Sequence, residues 1–423
     1  MLDIRFIREN PDKVRWACKQ KGEDASIDRL LELDERRRKL VSEVDSLRAE
    51  RNRITHSIKE AFASSDKDAG NVLREKARKL SDAVRSKDDE LKLVEKELNS
   101  VLLKVPNIPD GSVQEGKDEN DNIVVREWGE KPHFDFEPKD HLQIGAMHNL
   151  FDMRRAAKIT GAFFPLYRGA GAKLERALVN FMLDTHTENG YTEILPPFLS
   201  NRASMTGTGQ LPKLEEDMYR VEQDDLFLIP TGEVPITNYF REEIIDEDAL
   251  PMYFCGYTPC FRREAGSYGK KTKGLVRVHQ FNKVELVKFV VPEHSCDELE
   301  ALVADAERVL QLLGLHYRVV RLCTGELSFA SAKTYDIEVW APGMKRYLEV
   351  SSCSNFEDFQ ARRSGIRFRK RSGKPEFVHT LNGSGVATPR LMIALLETGQ
   401  RRDGSIVLPE PLAKYFGQAK IDG

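Results

Sequence analysis

From Ile27 to about Phe62, leucine and isoleucine recur on a seven-residue beat in a charge-rich background. Leu33, Leu40, Leu47 and Ile54 keep the period, with Val44 and Ile58 four residues after Leu40 and Ile54. A second stretch repeats the pattern. Leu73, Leu80, Val94 and Val101 form one line, interrupted once by Lys87, and Ala77, Val84, Leu91, Leu98 and Val105 form its companion. Steps that alternate between four and three predict the seam of a left-handed coiled coil. The polar SSDKDAG at 64–70 separates the two stretches, so the helices are expected to fold back as an antiparallel hairpin. About 36 residues at ~1.5 Å each make an arm roughly 50 Å long. The heptads alone fit a dimerising coiled coil equally well.

PNIPDGSVQEGKDENDN (106–122) is rich in Pro, Gly and acids and reads as a boundary. The expected division is an arm-bearing domain at 1–105, a linker at 106–130 and a body at 131–423, in which helical and strand patterns alternate irregularly. Within the body, FRREAGS (261–267) and SYGKKTKG (267–274) precede LVRVHQFNKVELV (275–287), which alternates strictly. Arg277, His279, Phe281, Lys283 and Glu285 fall on one face; Val276, Val278, Val284 and Leu286 dominate the other. A period of two predicts a strand with a buried back and a polar front, paired with the preceding strand as a long hairpin. Positions 277, 281 and 285 are spaced at roughly 13 Å per step at strand rise. A cation, a ring and a carboxylate in that row could line an extended ligand bearing a phosphate, a flat base and an amine. A polar-faced surface hairpin would show the same alternation.

Composition narrows the function classes. A chain of 423 residues exceeds one ordinary core, so two or three domains are expected. With 65 basic and 68 acidic residues, nucleic-acid binding would have to rest on local patches. One such patch lies near the arm's tip. Residues 48–79 carry nine bases (Arg48, Arg51, Arg53, Lys59, Lys67, Arg74, Lys76, Arg78 and Lys79) against five acids, which suits a phosphate backbone. MLDIRFIREN lacks the apolar core of a secretory signal, and no eighteen-residue apolar run predicts a membrane span. The six cysteines contain no C-x-x-C, which argues for free thiols in a reducing cytosol and against a disulfide framework or a zinc site.

The usual nucleotide signatures are missing. GSYGKKT has glycines at the wrong spacing for a P-loop, and no G-x-G-x-x-G opens a helix after a strand. Bound phosphates would therefore rest on guanidinium forks and a metal. TGE (231–233) follows the apolar LFLIP. EVSSCSN (349–355) offers a carboxylate and hydroxyls, hard ligands suited to magnesium. Glu349 and Ser352 are an odd number apart, so only a bulge or a strand end would let them face one ion. In TLNGSGVATPRLMIALLETG (380–399), Thr388 is placed to cap a helix, Pro389 fits its first turn and Gly399 its stop. Arg390 then stands at a helix N-terminus, a natural place beside an anion.

FRREAG with its hairpin, the GVATPRLMIALLE helix, and the helix from Lys173 leading through GYTEILPPF (190–198) resemble motifs 2, 3 and 1 of the class II aminoacyl-tRNA synthetases. Together with TGE, Q-F-x-K-V-E, LEVSSCSNF, HTLNGSG and the basic N-terminal hairpin, the chain is most similar to their serine-specific, bacterial-type family, over essentially its whole length. The resemblance implies an α+β fold: an antiparallel coiled-coil hairpin plus an antiparallel sheet flanked by helices, homodimeric through motif 1. It implies that Arg262 holds the α-phosphate and the amino-acid carboxylate, with Glu264 near the adenine and Arg263 in the ATP site. Phe281 would stack on the adenine with Arg390 over its other face, and Arg277 would reach the outer phosphates. Glu349 and Ser352 would carry Mg2+, with Val350 and Ser351 beside them in the ATP site. Thr231 and Glu285 would hold the serine ammonium, Glu233 would line the same pocket, and Thr380, Asn382 and Ser384 would surround the hydroxyl.

Implied partners are ATP, L-serine and tRNA(Ser), with tRNA(Sec) a further candidate. No zinc, no membrane and a cytoplasmic location are expected. The tRNA would be gripped by Arg48, Arg51, Arg53, Arg74, Lys76, Arg78 and Lys79 on the arm and by Lys270, Lys271 and Lys273 in the hairpin loop. A ligase that loads a carrier protein would have little use for a basic arm. A non-catalytic tRNA-binding relative would be expected to lack Arg262, Glu285 or Arg390, and all are present.

Overall fold

The computed structural model describes residues 1–64, 66–263, 273–371 and 373–422. It divides into two compact units, Leu2–Pro106 and, together with Met1, Asn107–Gly423. In the first unit, two short helices, Ile4–Glu9 and Pro11–Gln20, precede a long helical pair. Helix α1 (Ile27–Ala63) and helix α2 (Lys67–Leu102) run to 37 and 36 residues. Leu33, Leu40, Val44 and Ile54 of α1 and Val84, Val94 and Leu98 of α2 are buried between them, as the heptads require. Ion pairs cross the seam in antiparallel register: Arg29 to Glu97 at 2.6 Å, Arg36 to Glu90 at 2.9 Å and Lys76 to Glu50 at 3.2 Å. Lys87, the interruption in the apolar line, reaches Glu43 of the opposite helix at 2.8 Å. At the tip, Asp66 caps α2 by accepting from the Ala69 amide at 3.0 Å. Gly70 leaves room for the Phe62 ring, which a Cβ there would meet at 2.7 Å.

Most of the stretch expected to be a linker, 106–130, belongs to the second unit. The Asn107 amide is buried and donates to the carbonyls of Ala330 and Phe356, each at 2.9 Å. Val113 packs with Leu322 and Leu327, and Ile123–Trp128 forms an edge strand, β1. Besides local turns, the segment's hydrogen bonds reach residues such as Ala330, Phe356 and Arg321, more than two hundred positions away, which local composition does not reveal.

The second unit is built on an eight-stranded sheet. After β1 come helix α3 (Ala170–Glu188), strand β2 (Thr192–Glu193), β3 (Met252–Phe261), β4 (Gln280–Val290), helix α4 (Ser295–Leu312), β5 (Tyr317–Arg321), β6 (Lys333–Ala341), β7 (Arg346–Asn355), β8 (His379–Ala387) and helix α5 (Thr388–Gly399). The spatial order is β1-β5-β6-β7-β8-β4-β3-β2, antiparallel throughout except for the β2–β3 edge. The two-residue period of β4 separates its faces. Val284, Leu286 and Val290 join a core with apolar residues of α3, α4 and α5. Val287 and Phe289 pack on the opposite side with Ile236, Ile366 and Phe368. Phe281, Lys283 and Glu285 share that second side, and the candidate site forms there.

Candidate active site

The ladder between β3 and β4 runs from Met252–Phe289 to Phe261–Gln280. The strand expected over 275–287 therefore starts later, at Gln280. Residues 275–279 leave the ladder as a turn and a bend because other partners hold them. The buried Leu275 amide points at His141 Nε2 at 3.3 Å, and the His279 amide donates to the Phe163 carbonyl at 2.9 Å. Arg277, off the strand, still lines the same cavity as Phe281.

That cavity has a volume of about 140 Å³, and Arg262, Arg277, Phe281, Glu349, Val350, Ser384 and Arg390 are among the residues lining it. The Arg262 guanidinium lies 5.3 Å from the centre of the Phe281 ring, and its Nε donates to the Pro230 carbonyl at 3.2 Å. Arg390, in the first turn of α5, is held from two sides. Its Nε donates to the Val276 carbonyl at 3.0 Å, and one terminal nitrogen donates to the Glu349 carbonyl at 2.8 Å. Both cations are anchored through a few nitrogens and keep donors for an anion. Thr388 does not cap α5; Ala387 holds that position, and the Thr388 hydroxyl instead donates to Glu175 of α3.

On β7 the pairing with β6 slips: Ile337 opposes Ser351 but Glu338 opposes Glu349, leaving Val350 as an extra residue. This bulge reverses the alternation, so Val350 and Ser351 are both buried while Glu349 and Ser352 both reach the open face. The Ser351 hydroxyl donates to the Ser384 carbonyl at 2.6 Å. Asp336 of β6 stands opposite Ser352, and its Oδ1 is buried without a hydrogen-bond partner among the described residues. Burial and the neighbouring Glu349 charge push its carboxyl well above the usual range. Among the described residues, no three His, Cys, Asp or Glu side chains are grouped to hold a metal ion. The available donors are a carboxylate pair and a hydroxyl, which suit a cation that shares its shell with phosphate oxygens.

Beside the cavity, Glu285 is fully buried. The Thr231 hydroxyl donates to its Oε2, Asn382 Nδ2 donates to its Oε1 at 2.9 Å, and Lys283 Nζ lies 2.7 Å from Oε2. Lys283 also donates to the Thr231 hydroxyl at 2.9 Å. Glu233, at the start of a short helix, is buried; burial and the Glu285 charge push its carboxyl up to about 7. Gln360 Nε2 donates to Glu233 Oε1 at 2.6 Å, and the Thr380 hydroxyl donates to Gln360 Oε1 at 2.8 Å. Ser384 sits directly opposite Glu285 in the β8–β4 register.

The fold thus gathers Thr231, Glu233, Arg262, Arg277, Phe281, Glu285, Glu349, Ser352, Thr380, Asn382, Ser384 and Arg390 on one side of the sheet. Glu264, Lys270 and Lys271 lie outside the described residues. Arg263 is exposed and its amide donates to the Asp217 carbonyl at 3.1 Å; it does not line the cavity. Lys273 is exposed at the edge of the described loop. On the arm, Arg48 pairs with Asp88 at 3.0 Å, Lys76 is tied to Glu50, and Arg74 lies 4.4 Å over the Phe62 ring. Arg51 is half-buried, and Arg53, Arg78 and Lys79 are exposed. Sequence reasoning missed Gln360 and Asp336 and gave Lys283 no task. For Lys283 the signal was available, two residues before Glu285 on one strand face; Gln360 and Asp336 offered none.

Comparison with known proteins agrees with this geometry. Residues 218–399 match the model of the tRNA synthetase class II core domain (G, H, P, S and T), and residues 1–109 match that of the seryl-tRNA synthetase N-terminal domain. A serine–tRNA ligase of Thermodesulfovibrio yellowstonii is 55% identical over 419 residues, 99% of each chain. One of Geobacter sulfurreducens is 56% identical over 421 residues, again 99% of each chain. The crystal structure of seryl-tRNA synthetase from Pyrococcus horikoshii complexed with ATP matches with a TM-score of 0.92 at 38% identity, covering 100% of this chain and 99% of that one. An antiparallel sheet with an arginine-lined cavity and no P-loop is the architecture of a class II aminoacyl-tRNA synthetase, an aminoacyl-tRNA ligase. Within that class, the chain belongs to the seryl-tRNA synthetase family. Among the described residues no helix is long and apolar enough to cross a membrane.

Proposed function

We propose that the body unit joins L-serine to ATP as seryl-adenylate and then transfers the seryl group to the 3′ end of tRNA(Ser). The observation that carries this reading is the closed carboxylate receptor of Glu285, set beside a cavity lined by Arg262 and Arg390. An ammonium site adjoins a phosphate site, which is the juxtaposition that amino-acid activation needs. The serine carboxylate oxygen attacks the α-phosphorus, the bond to the β-phosphate bridging oxygen breaks, and pyrophosphate leaves. A terminal ribose hydroxyl of the tRNA then attacks the seryl carbonyl, and AMP departs. No protein nucleophile takes part; the rate comes from positioning and from cations aimed at developing charge.

In this reading Glu285 and Thr231 receive the serine ammonium, while Glu233, Thr380, Asn382 and Ser384 receive the hydroxyl. Arg262 bridges carboxylate and α-phosphate, Phe281 and Arg390 sandwich the adenine near Glu264, and Arg277 takes the outer phosphates. Arg263 and the backbone of Val350 and Ser351 complete the ATP site. Glu349 and Ser352 would hold Mg2+, which neutralises phosphate charge when bound; their shared face and the unpartnered oxygen of Asp336 fit that role.

The arm would grip the tRNA through its tip bases, with Lys270, Lys271 and Lys273 following the acceptor end. That assigns 1–105 to tRNA binding and 131–423 to catalysis. A homodimer through α3 and the segment after it is supported by the exposed Leu195, Phe198 and Leu199. The free state of all six cysteines supports work in the reducing cytoplasm. The test is ATP–pyrophosphate exchange with each amino acid in turn, followed by charging of serine tRNA and of selenocysteine tRNA. Serine alone should support exchange; activity with a different amino acid would overturn the substrate.

A further inference from the structure

Gln360 belongs to none of the recognised motifs, yet it is 1% exposed and ties together two groups assigned to the amino-acid side chain. Its amide orientation is determined by its partners. The Thr208 carbonyl can only accept, and Gln360 Nε2 donates to it at 3.2 Å. The same nitrogen donates to Glu233 Oε1 at 2.6 Å, so Gln360 Oε1 must face the Thr380 hydroxyl, which donates to it at 2.8 Å. Each bond has one possible direction. Thr380 has spent its proton on Gln360 and offers only lone pairs elsewhere. Glu233 Oε1 is committed, so Oε2 is the oxygen left to meet a ligand or to carry a proton.

We propose that Gln360 is a positioning residue that determines specificity for a hydroxyl-bearing amino acid: it holds Glu233 and Thr380 in fixed and opposite hydrogen-bond roles, Thr380 Oγ1 accepting the one proton of the substrate hydroxyl and Glu233 Oε2, carrying a proton, donating to its oxygen. Gln360 touches no substrate itself. Alanine enters the same pocket without the hydroxyl and so leaves both groups unpaired, and each buried group left without its partner costs about 1–3 kcal/mol. Loosening Gln360 removes that penalty, because Glu233 and Thr380 can then turn to each other or to water. This inference rests on serine being the substrate.

The experiment compares kcat/KM for serine and alanine in pyrophosphate exchange by wild type, Gln360→Met and Gln360→Glu. Methionine keeps the length without hydrogen bonds; glutamate keeps shape and the acceptor for Thr380 but removes the donors. Both variants should lose tenfold or more of the serine-to-alanine ratio, through a fall for serine with alanine unchanged or raised. Equal losses for the two amino acids would show a merely structural role and overturn the inference, as would an unchanged ratio in Gln360→Glu. Should Gln360→Met fail to fold, Gln360→Glu decides alone. Failure of the wild type to activate serine would instead refute the proposed function.

Discussion

The ammonium of Lys283 lies 2.7 Å from Glu285 Oε2, in a pocket where both side chains are almost wholly buried. Two strand positions apart on one face, they form a buried ion pair. A lone carboxylate there would be expensive, and breaking a buried pair by removing one partner typically costs about 3–5 kcal/mol. The amides and hydroxyl around Glu285 soften that cost but carry no full charge.

Lys283→Met should therefore lower stability to urea by about 2–4 kcal/mol and raise the KM for serine, because the carboxylate that receives the ammonium loses the side chain that holds it in place. Adding Glu285→Gln should recover most of the lost stability while leaving the enzyme unable to hold the ammonium. A double variant no more stable than the single one would show that the pair is not the source of the loss.

Arg262→Ala tests the phosphate side. Among the described residues its guanidinium is held through Nε to a carbonyl and by the face of Phe281, so removal strands no buried side chain among them. The melting temperature should change little. Losing a cation aimed at developing charge costs about 10²–10³ in rate, so serine-dependent pyrophosphate exchange should fall by at least that factor. Near-normal exchange would remove Arg262 from the reaction.

The contrast between these residues shows what the sequence makes legible. Alternation along 280–287 announces the polar face of β4, and the heptads announce the helical pair, with Lys87 as the exception that proves to bridge to Glu43. For Glu349 and Ser352 to share a face, their odd spacing requires a bulge or a strand end, and a bulge lies at Val350. Such features repeat at short range and leave a period in the sequence. Gln360 and Glu233 are separated by 127 positions and Thr388 and Glu175 by 213, and no period records partners brought together by packing. Thr388 looks like a cap because local rules see only its own helix. The first unit ends at Pro106, and local composition does not show that Asn107 answers to Ala330 and Phe356, more than two hundred positions away.

Glu175 offers a pH test with a defined sign. Burial pushes its carboxyl from the ordinary 4.5 up to about 7, against the pull of Thr388 and Asn282. Only Oε1 is bonded; Oε2 is buried and unpartnered among the described residues. Between pH 4.5 and 7 the folded protein keeps a proton that the unfolded chain has lost, so stability falls as pH rises through that window. Glu175→Gln mimics the protonated form and removes this slope. The variant should match wild type near pH 4.5 and exceed it at pH 8 by roughly 1–3 kcal/mol in urea unfolding. An unchanged pH slope would mean that Glu175 is not the titrating group.

The arm's bases fall into two physical kinds, which mutation can separate. Arg48 and Lys76 are engaged with Asp88 and Glu50 across the hairpin; exposed pairs of this sort contribute only about 0–1 kcal/mol, but their charge is partly cancelled. Arg53, Arg78 and Lys79 are exposed near the tip and present their charge outward. Replacing these last with alanine should leave serine-dependent exchange at the wild-type rate and weaken tRNA charging severalfold at physiological salt. The logarithmic salt slope of tRNA binding should become shallower by roughly 0.7–0.9 for each phosphate that is no longer neutralised. Replacing Arg48 and Lys76 should act the other way round, lowering the stability of the helical pair more than the salt slope. If the exposed set leaves both charging and the slope unchanged, these bases do not grip tRNA, and the heptads describe a structural coiled coil alone.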